Sequence, residues 1–337
     1  MIRYFLCLAL LVGTTGCAVP DRQPEDPLTD RIFRSSDRAE LSREDLVREL
    51  EQARVIYLGE KHDNLRHHEL QLNLITELVD RGRRPAIGFE VFSLEQTSLL
   101  MGYVTSQIPP KSHGGNSDIE SGLRKALGWS DDDERWDFYG PILKLAREKG
   151  LIVFGADLTP GIRRRIIEVG AAALTNVEQL QLYPSDFENS AYEAVMRETL
   201  KQAHCGYGDE AYIGRLYSNW VARNDAMAMA IVESLSQDSG ETVVMILGAG
   251  HVQNNMGVYE RVAKKRADVR QLNLGFREVG KSPAPVESHT QELEYNGMRF
   301  APDHEYLWFS PRANSSGEDP CEAFRRHMEK SERSDAP

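Results

Sequence analysis

Residues 55–68, VIYLGEKHDNLRHH, constrain the fold of this chain more than any other stretch. A continuous apolar run leads into Gly59, which is typical of a β-strand that is buried on both faces. Leucines at helical spacing follow between residues 70 and 78, so a helix comes next. Glu60 and His62 therefore lie at the carboxyl end of a strand, just before a helix. Because ligands bind at that edge in open α/β sheets, we expect a functional site here.

Further apolar runs have the same character and indicate the rest of the sheet. They are Pro85–Glu90, Leu151–Asp157, Thr242–His251, Val269–Leu274 and Tyr306–Ser310. Helical patterns separate most of these runs, which favours parallel pairing. We predict an α/β fold in which helices flank a mostly parallel sheet. Two helical insertions, at about 93–148 and 175–235, are expected to form a smaller subdomain.

The start of the chain, MIRYFLCLALLVGTTGC, has one arginine, a short apolar core and small residues before Cys17. The core is too short to span a membrane, so residues 1–16 are predicted to be a secretory signal. Thr-Thr-Gly-Cys resembles a bacterial lipobox, whose cysteine carries palmitate or other acyl chains; an ordinary cleaved signal is the alternative. Residue 18 is Ala rather than Asp, which by resemblance to such lipoproteins implies sorting to the outer membrane. The Pro- and charge-rich residues 17–40 are predicted to be a tether.

Charge and cysteine content restrict the partners of the chain. A formal net charge of −12 argues against binding to a phosphate backbone, so no nucleic-acid partner is expected. Apart from Cys17 and the cysteine within the signal, the chain contains Cys205 and Cys321. In an oxidising compartment these two can form a disulfide, although the sequence does not show that they meet. No cysteine spacing suggests a zinc site.

Two copies of a Gly-x-x-His motif carry the candidate chemistry. They are Gly59–His62 and Gly248–His251, and each follows an apolar strand. Glu90 ends another such strand, and Glu60 lies inside the first motif. Two imidazoles with one or two carboxylates suit a zinc, manganese or iron ion, so Glu60, His62, Glu90 and His251 are candidate ligands. The same residues could act as a general base and acid without a metal.

A long helical pattern before the second motif contains two polar residues of interest. Asn224 falls on the apolar stripe of the predicted helix 211–235, and Asp225 lies beside it. A polar side chain on a buried face needs a partner. Both residues are therefore candidates for supporting the site, and a purely structural contact in the core explains them equally well.

Four segments, in this order, resemble the ChaN-like family of the Tiki, TraB and erythromycin-esterase superfamily. They are VIYLGEKHDNLRHHELQ, GFEVFSLEQ, WVARNDAMAMA and ILGAGHV. The resemblance covers roughly residues 45–310. We therefore expect a ChaN-like α/β domain at 41–275 and a C-terminal extension at 276–337.

The resemblance implies a bacterial surface lipoprotein that binds haem, serves iron uptake and is a possible homodimer. Other branches of the superfamily look like metal-dependent proteases or esterases. On that alternative, the resemblance implies that His62, Glu90 and His251 form the catalytic or metal-binding set. Glu60 would then be a fourth ligand or a base, and His68 would support the ligands.

Haem needs an axial ligand, an apolar slot for the macrocycle and cations for the propionates. The polar Gly-x-x-His edge is not expected to supply such a slot by itself. The second insertion contains an aromatic group that could contribute, namely Tyr183, Tyr192, Tyr207, Tyr212 and Tyr217 with His204 and Arg215. None of these matches a motif of the family, so the sequence names no axial ligand, and ordinary packing explains each tyrosine more simply.

Several candidates also have a structural interpretation. Glu60 could form an ion pair with Lys61 or Arg66 in a solvated turn, and Glu90 could pair with an arginine of the run 163–165. The remaining histidines lack a supporting pattern and are expected on the surface; they are His67, His113, His289, His304 and His327.

Overall fold

One large β-sheet organises the part of the chain that the computed structural model describes, which is residues 26–106, 115–185, 189–236, 242–313, 321–322 and 326. The strands are β1 Ile32–Arg34, β2 Glu40–Leu41, β3 Val55–Glu60, β4 Ala86–Ser93, β5 Val153–Asp157, β6 Val243–Gly248, β7 Gln271–Glu278, β8 Glu292–Tyr295, β9 Met298–Pro302 and β10 Tyr306–Ser310. Strands β8 and β9 form a separate antiparallel hairpin, and the other eight form the sheet.

The strand order in the sheet is β2-β1-β10-β7-β3-β6-β4-β5. The six strands from β10 to β5 are parallel to one another. At the other end of this order, the short strand β1 pairs antiparallel with β10 and with the short strand β2. The predicted mostly parallel sheet is therefore confirmed, and the carboxyl ends of β3, β4, β5 and β6 lie along one edge.

The helices connect these strands and cover the sheet. They are α1 Arg43–Leu50, α2 Leu65–Asp80, α3 Thr97–Thr105, α4 Gly115–Ala126, α5 Arg135–Lys149, α6 Pro160–Val169, α7 Asn176–Gln179, α8 Ser190–Ala203, α9 Glu210–Ser236 and α10 Val258–Lys265. Asn64 begins α2, because its side chain accepts a hydrogen bond from the Arg66 backbone N–H. This cap fixes the short turn between β3 and α2 that carries the first Gly-x-x-His motif.

Side chains along β3 point alternately to the two faces of the sheet, and the helices on each face form one of two layers. Ile56 and Leu58 pack with α1, α2 and α5 in the first layer. Val55 and Tyr57 point the opposite way and pack with α9 and α10 in the second layer. The predicted insertions thus pack directly on the sheet, the first of them in the first layer and the second mainly through α9.

The start of the described chain differs from the predicted tether. Residues 32–34 and 40–41 form β1 and β2 at the sheet edge, and Ile32 and Phe33 are buried. The prediction of a structureless tether over 17–40 is therefore wrong for its second half. Composition misled because the buried residues are few and their partners, such as Trp308 and Leu307, are distant in sequence.

The C-terminal extension is an integral part of the sheet. The predicted strand at Tyr306–Ser310 is confirmed as β10, which lies between β1 and β7. Cys205 and Cys321 form a disulfide. The helix expected near 321–330 falls largely outside the described residues.

Nothing in the described ranges resembles a membrane-spanning helix, because no helix there is both long and apolar enough. The predicted signal at 1–16 and Cys17 fall outside the described residues.

Candidate functional site

His62 lies at the carboxyl edge of the sheet between two buried carboxylates, Glu60 and Glu90. Glu60 follows Ile56 and Leu58 in alternation along β3, so its side chain points into the first layer. Glu90 points into the second layer, where it meets α9. His62 Nδ1 lies 3.0 Å from Glu60 Oε1, and His62 Nε2 lies 3.7 Å from Glu90 Oε1. The histidine therefore joins the two faces of the sheet at this edge.

Glu60 is held by three side chains of the first layer. Tyr139 donates a hydrogen bond of 2.6 Å to Oε1, and Gln71 donates one of 2.6 Å to Oε2. His68 Nδ1 lies 3.3 Å from Oε2. Burial raises the pKa of Glu60, but the hydrogen bond with His62 and the neighbouring positive charge outweigh it and lower the pKa overall. Glu60 is therefore an ionised carboxylate with a complete set of partners.

Glu90 is held by one backbone donor and one guanidinium. The Gly248 N–H donates a bond of 2.6 Å to Oε2, and Arg223 donates one of 2.5 Å to Oε1. His251 Nε2 lies 3.3 Å from the same Oε1. Burial raises the pKa of Glu90, but the charges of His251 and Arg223 outweigh it and hold the pKa well below its usual value.

Arg223 also connects this carboxylate to the end of β5. Its guanidinium donates to both oxygens of Asp157, at 2.7 to 3.1 Å. Arg163 donates a further bond of 2.7 Å to Asp157 Oδ2, and the Leu158 N–H donates one of 2.7 Å to Oδ1. Three strand ends thus share one network of alternating charges.

His251 is more enclosed than His62. Its side chain is 9% exposed, against 57% for His62. Its Nδ1 lies 2.8 Å from Asn224 Oδ1, so the predicted contact of Asn224 with the site is present. Asp225 does not join the cluster, because it accepts hydrogen bonds from Arg261 and Ser185 instead.

The glycine of each motif makes room for the other motif. A Cβ atom on Gly248 would lie 2.9 Å from His62 Nε2, and one on Gly59 would lie 3.2 Å from Ala249 Cα. Contacts this short are rarely tolerated, so a larger residue at either glycine would force a displacement. The two Gly-x-x-His motifs are therefore packed against each other.

An open cleft of 430 Å³ lies beside His62. It is lined by His62, Asp63, Glu90, Val91, Arg135, Phe138, Tyr139, Arg163 and Arg223. The ring of Phe138 stacks on His68 with centroids 4.7 Å apart, which holds the aromatic wall in place. The cleft thus combines an exposed imidazole, an aromatic wall and three guanidinium groups.

Both structural interpretations of the acidic residues are wrong. Glu60 does not pair with Lys61 or Arg66, which bond to other surface carboxylates. Glu90 pairs with Arg223 and not with the run 163–165, whose Arg163 bonds to Asp157. Short-range sequence neighbours suggested these pairs, whereas the true partner of Glu90 comes from a distant helix.

The prediction that the remaining histidines lie on the surface is also wrong for two of them. His67 is fully buried, with its Nδ1 2.9 Å from the Lys61 N–H and its Nε2 2.8 Å from Ser310 Oγ. His304 is buried against β3 and β7. Burial lowers the pKa of each to about 4, so both are neutral at pH 7. His289 is partly buried, and His113 and His327 fall outside the described residues.

The aromatic group of the second insertion lies away from the cleft. Tyr192 is buried and donates to the Gln253 carbonyl at 3.0 Å, and Tyr217 stacks on Trp220. Among the described residues that line the cleft, none belongs to this group. Packing is the role that these contacts support.

Sequence reasoning missed Arg223 and Tyr139. Arg223 directly precedes Asn224 in the motif WVARNDAMAMA, so its place beside a candidate residue was the available signal. Tyr139 lies in an insertion whose aromatic residues all resemble core residues in sequence. Only the packing of α5 on α2 brings it to Glu60.

The predicted metal ligands converge, but their oxygens already have partners. Within the described ranges, no group of three or more His, Cys, Asp or Glu side chains is arranged to hold a metal ion. The Glu90 oxygen nearest both histidines accepts a hydrogen bond from Arg223. A cation bound there would face a guanidinium, so the donor set does not fit a metal as it stands. The cleft contains the groups that haem binding uses, namely an imidazole, an apolar wall and cations, although its arginines also pair with Asp133, Asp157 and Glu90.

Comparisons with known proteins agree with this architecture. Residues 46–262 match the family model described as haem-binding uptake, Tiki superfamily, ChaN. The fold is similar to ChaN of Campylobacter jejuni, solved with cofacial haem, at 14% identity and a TM-score of 0.59 over 82% of this chain and 95% of that chain. An erythromycin esterase, an EreC variant in its open conformation, has 13% identity and a TM-score of 0.47 over 81% and 94%. No curated protein matches the chain.

Proposed function

The chain belongs to the ChaN family of haem-binding uptake proteins in the Tiki superfamily, and on that premise we propose that it binds haem in the cleft beside His62. The observation that carries the proposal is the combination of groups in this cleft. The His62 side chain is 57% exposed at the cleft, and its imidazole would bind an iron after losing the proton that Glu60 and Glu90 favour. Phe138 and Val91 offer an apolar surface to a macrocycle. Arg135 and Arg163 pair with Asp133 and Asp157, and because a guanidinium has five N–H donors they can also bind carboxylates at the rim.

The solved relative supports the ligand class. ChaN of Campylobacter jejuni was solved with cofacial haem, and its fold covers most of this chain. The cleft of this protein is open to solvent rather than enclosed, which is compatible with a flat ligand that is exposed on one side.

A hemin titration tests the proposal. We expect the soluble form lacking residues 1–17 to give a saturable Soret band, and His62→Ala to weaken binding by at least about tenfold. His204→Ala is the matched control, because His204 belongs to the aromatic group outside the cleft. If His204→Ala abolishes the band while His62→Ala leaves it unchanged, haem binds elsewhere and the proposed site is wrong.

Hydrolysis is a second candidate function, and one observation favours it. His62 lies between two ionised carboxylates at an open cleft, an arrangement that can accept and donate protons. Peptide and ester substrates should be tested with wild type, His62→Ala and His251→Ala, with divalent metal content measured in parallel. Hydrolysis that is unchanged in both variants would exclude this edge as a catalytic site.

We further propose the cellular setting that the sequence predicts: attachment through a lipid on Cys17, location at the bacterial outer membrane, and a role in iron uptake. Labelled palmitate should be incorporated by wild type and not by Cys17→Ala.

A homodimer is proposed as the form that binds haem. Sedimentation of the soluble chain with and without hemin tests it, and a monomer under both conditions would contradict it.

A further inference from the structure

The loop that carries His251 is held by a segment outside the matched family region. We call residues 249–257 the His251 loop and residues 301–305 the C-terminal segment. The Asn254 N–H donates to the Asp303 carbonyl at 2.8 Å, and the Asn254 side chain donates to the Ala301 carbonyl at 2.7 Å. These bonds attach the middle of the His251 loop to the C-terminal segment.

The His251 loop has a backbone that needs such support. Asn254, Asn255 and Gly257 have φ values of 58°, 56° and 61°. This left-handed region is unfavourable for residues other than glycine, although asparagine tolerates it better than most. The loop therefore depends on partners outside itself to keep this shape.

Asn273 of β7 connects the two pieces. Its side chain is fully buried, and its Nδ2 donates to the Val252 carbonyl at 2.7 Å and to Asn255 Oδ1 at 3.0 Å. Its Oδ1 lies 2.8 Å from His304 Nδ1. Because the amide nitrogen faces two oxygens, the amide oxygen must accept the N–H of His304. The Val252 carbonyl belongs to the residue that follows His251, so Asn273 acts one peptide away from that histidine.

His304 is fixed in turn by two glycines. Gly59 and Gly275 are paired across β3 and β7. A Cβ on Gly275 would lie 2.2 Å from His304 Cδ2, and one on Gly59 would lie 3.4 Å from His304 Cε1. The ring of His304 thus occupies the space beside Gly275 that a Cβ would fill, and it lies within contact distance of Gly59. Gly59 is the first residue of the other Gly-x-x-His motif, so one glycine serves both the C-terminal segment and the site.

We infer that Asn273, oriented by His304, is a positioning residue for His251. It holds the backbone beside that histidine so that the ring meets both Asn224 and Glu90. The carboxylate of Glu90 also faces His62, so the C-terminal segment contributes to the geometry of the cleft through this chain of contacts. This inference rests on the proposed function only for its haem measurement.

The ring signals of His251 in nitrogen-15 NMR test the inference directly. Protein labelled at histidine gives these signals, and His251→Gln identifies them by their loss. Asn273→Asp keeps the volume and the oxygen that faces His304 but removes the donor to Val252. We expect Asn273→Asp and Asn273→Ala to shift the His251 signals.

Gln271→Ala is the matched control. Gln271 lies two residues earlier on β7, is buried, and bonds to Tyr57 and to the Tyr259 carbonyl rather than to the His251 loop. We expect it to lower the thermal midpoint as Asn273→Ala does while leaving the His251 signals unchanged. Unchanged His251 signals in both Asn273 variants, or an equal shift in Gln271→Ala, would overturn the inference.

Two substitutions of His304 give an independent check. His304→Gln retains an amide N–H that can donate to Asn273, whereas His304→Leu cannot donate. We expect the His251 signals to stay near wild type in the first variant and to shift in the second. A shift of equal size in both would mean that His304 acts only by filling space.

Hemin affinity completes the test. We expect Asn273→Asp to weaken hemin binding by about tenfold, which is typical for loss of an outer hydrogen bond at a binding site. If wild type does not bind hemin, the proposed function fails while the NMR result still decides the positioning role.

Discussion

The two Gly-x-x-His motifs have the same sequence pattern and different surroundings. His62 is exposed over more than half of its side chain and faces the cleft, whereas His251 is enclosed between Asn224 and Glu90. Both rings approach the same oxygen of Glu90. The pattern therefore places an imidazole at a strand end, but only the later packing decides whether it meets a ligand or supports the framework.

Their backbones differ in the same way. The turn after Gly59 leads directly into a helix capped by Asn64, and residues 60–64 contain no left-handed backbone, although the Asn64 side chain also donates to Glu278 and to the Pro311 carbonyl. The loop after Gly248 passes through left-handed residues and depends on β7 and the C-terminal segment. We expect substitutions in the first motif to affect mainly haem binding. Substitutions in the second motif should affect mainly the free energy of unfolding.

The largest effect is expected where the two motifs share a partner. Arg223→Ala leaves the buried carboxylates of Glu90 and Asp157 without their common guanidinium, which should cost about 3–5 kcal/mol of unfolding free energy. Arg48→Ala removes two exposed ion pairs, with Glu44 and Asp45, and should change the free energy of unfolding by less than about 1 kcal/mol. Urea unfolding measures both. Equal losses would mean that Arg223 does not join the motifs energetically.

We expect His251→Ala to lower the free energy of unfolding more than His62→Ala does, and His62→Ala to weaken hemin binding more than His251→Ala does. His251→Ala leaves Asn224 without its buried partner and should cost about 1–3 kcal/mol. His62→Ala should cost less than about 1 kcal/mol, because its ion pairs are partly exposed, yet it should weaken hemin binding more. Urea unfolding and hemin titration of both variants give the two rankings. The same order in both measurements would mean that the two histidines do not differ in their roles in binding and stability.

The two glycines should differ in what their substitution displaces. A Cβ on Gly59 meets the backbone of Ala249, which cannot move freely, so Gly59→Ala should cost about 1–3 kcal/mol. A Cβ on Gly248 meets the ring of His62, which can rotate away, so Gly248→Ala should cost less than about 1 kcal/mol. It should instead move the His62 signals in NMR. A larger loss of stability for Gly248→Ala would contradict this assignment.

The smallest expected effect is the pH dependence of the stability that His62 of the first motif contributes. Partial desolvation lowers the pKa of His62, but the hydrogen bond with Glu60 and the charge of Glu90 outweigh it and raise the pKa to about 9. Because the folded pKa lies above the unfolded value, the contribution is complete below about pH 6.5 and is lost as the pH rises through 9. Solvent screening should keep the loss under about 1 kcal/mol. His62→Gln should lack this alkaline decrease, and the same decrease in that variant would assign it to another group.

The sequence predicted the convergence of Glu60, His62, Glu90 and His251 because parallel strands bring their carboxyl ends to one edge. That rule needs only the apolar runs and the residues that follow them. It could not supply Arg223 or Tyr139, since these come from helices whose register on the sheet depends on packing across the whole domain.

The buried histidines and strand β1 were missed for a related reason. His304 looks like a surface residue in sequence, and its burial depends on glycines in two distant strands. Ile32 and Phe33 stand in a polar stretch, and their partners lie at the other end of the described chain. Pairs this far apart leave no local pattern.

The position of β7 and β10 also bears on how the protein is made. During synthesis β3, β4, β5 and β6 emerge before β7 and β10, and the edge of β3 that β7 will cover remains open until the late part of the chain has been translated. Open edges of this kind pair readily with other chains. The C-terminal residues therefore act as a late cover for the nascent sheet, and premature termination within β7 would release an aggregation-prone product even though all the described residues that line the cleft were already present.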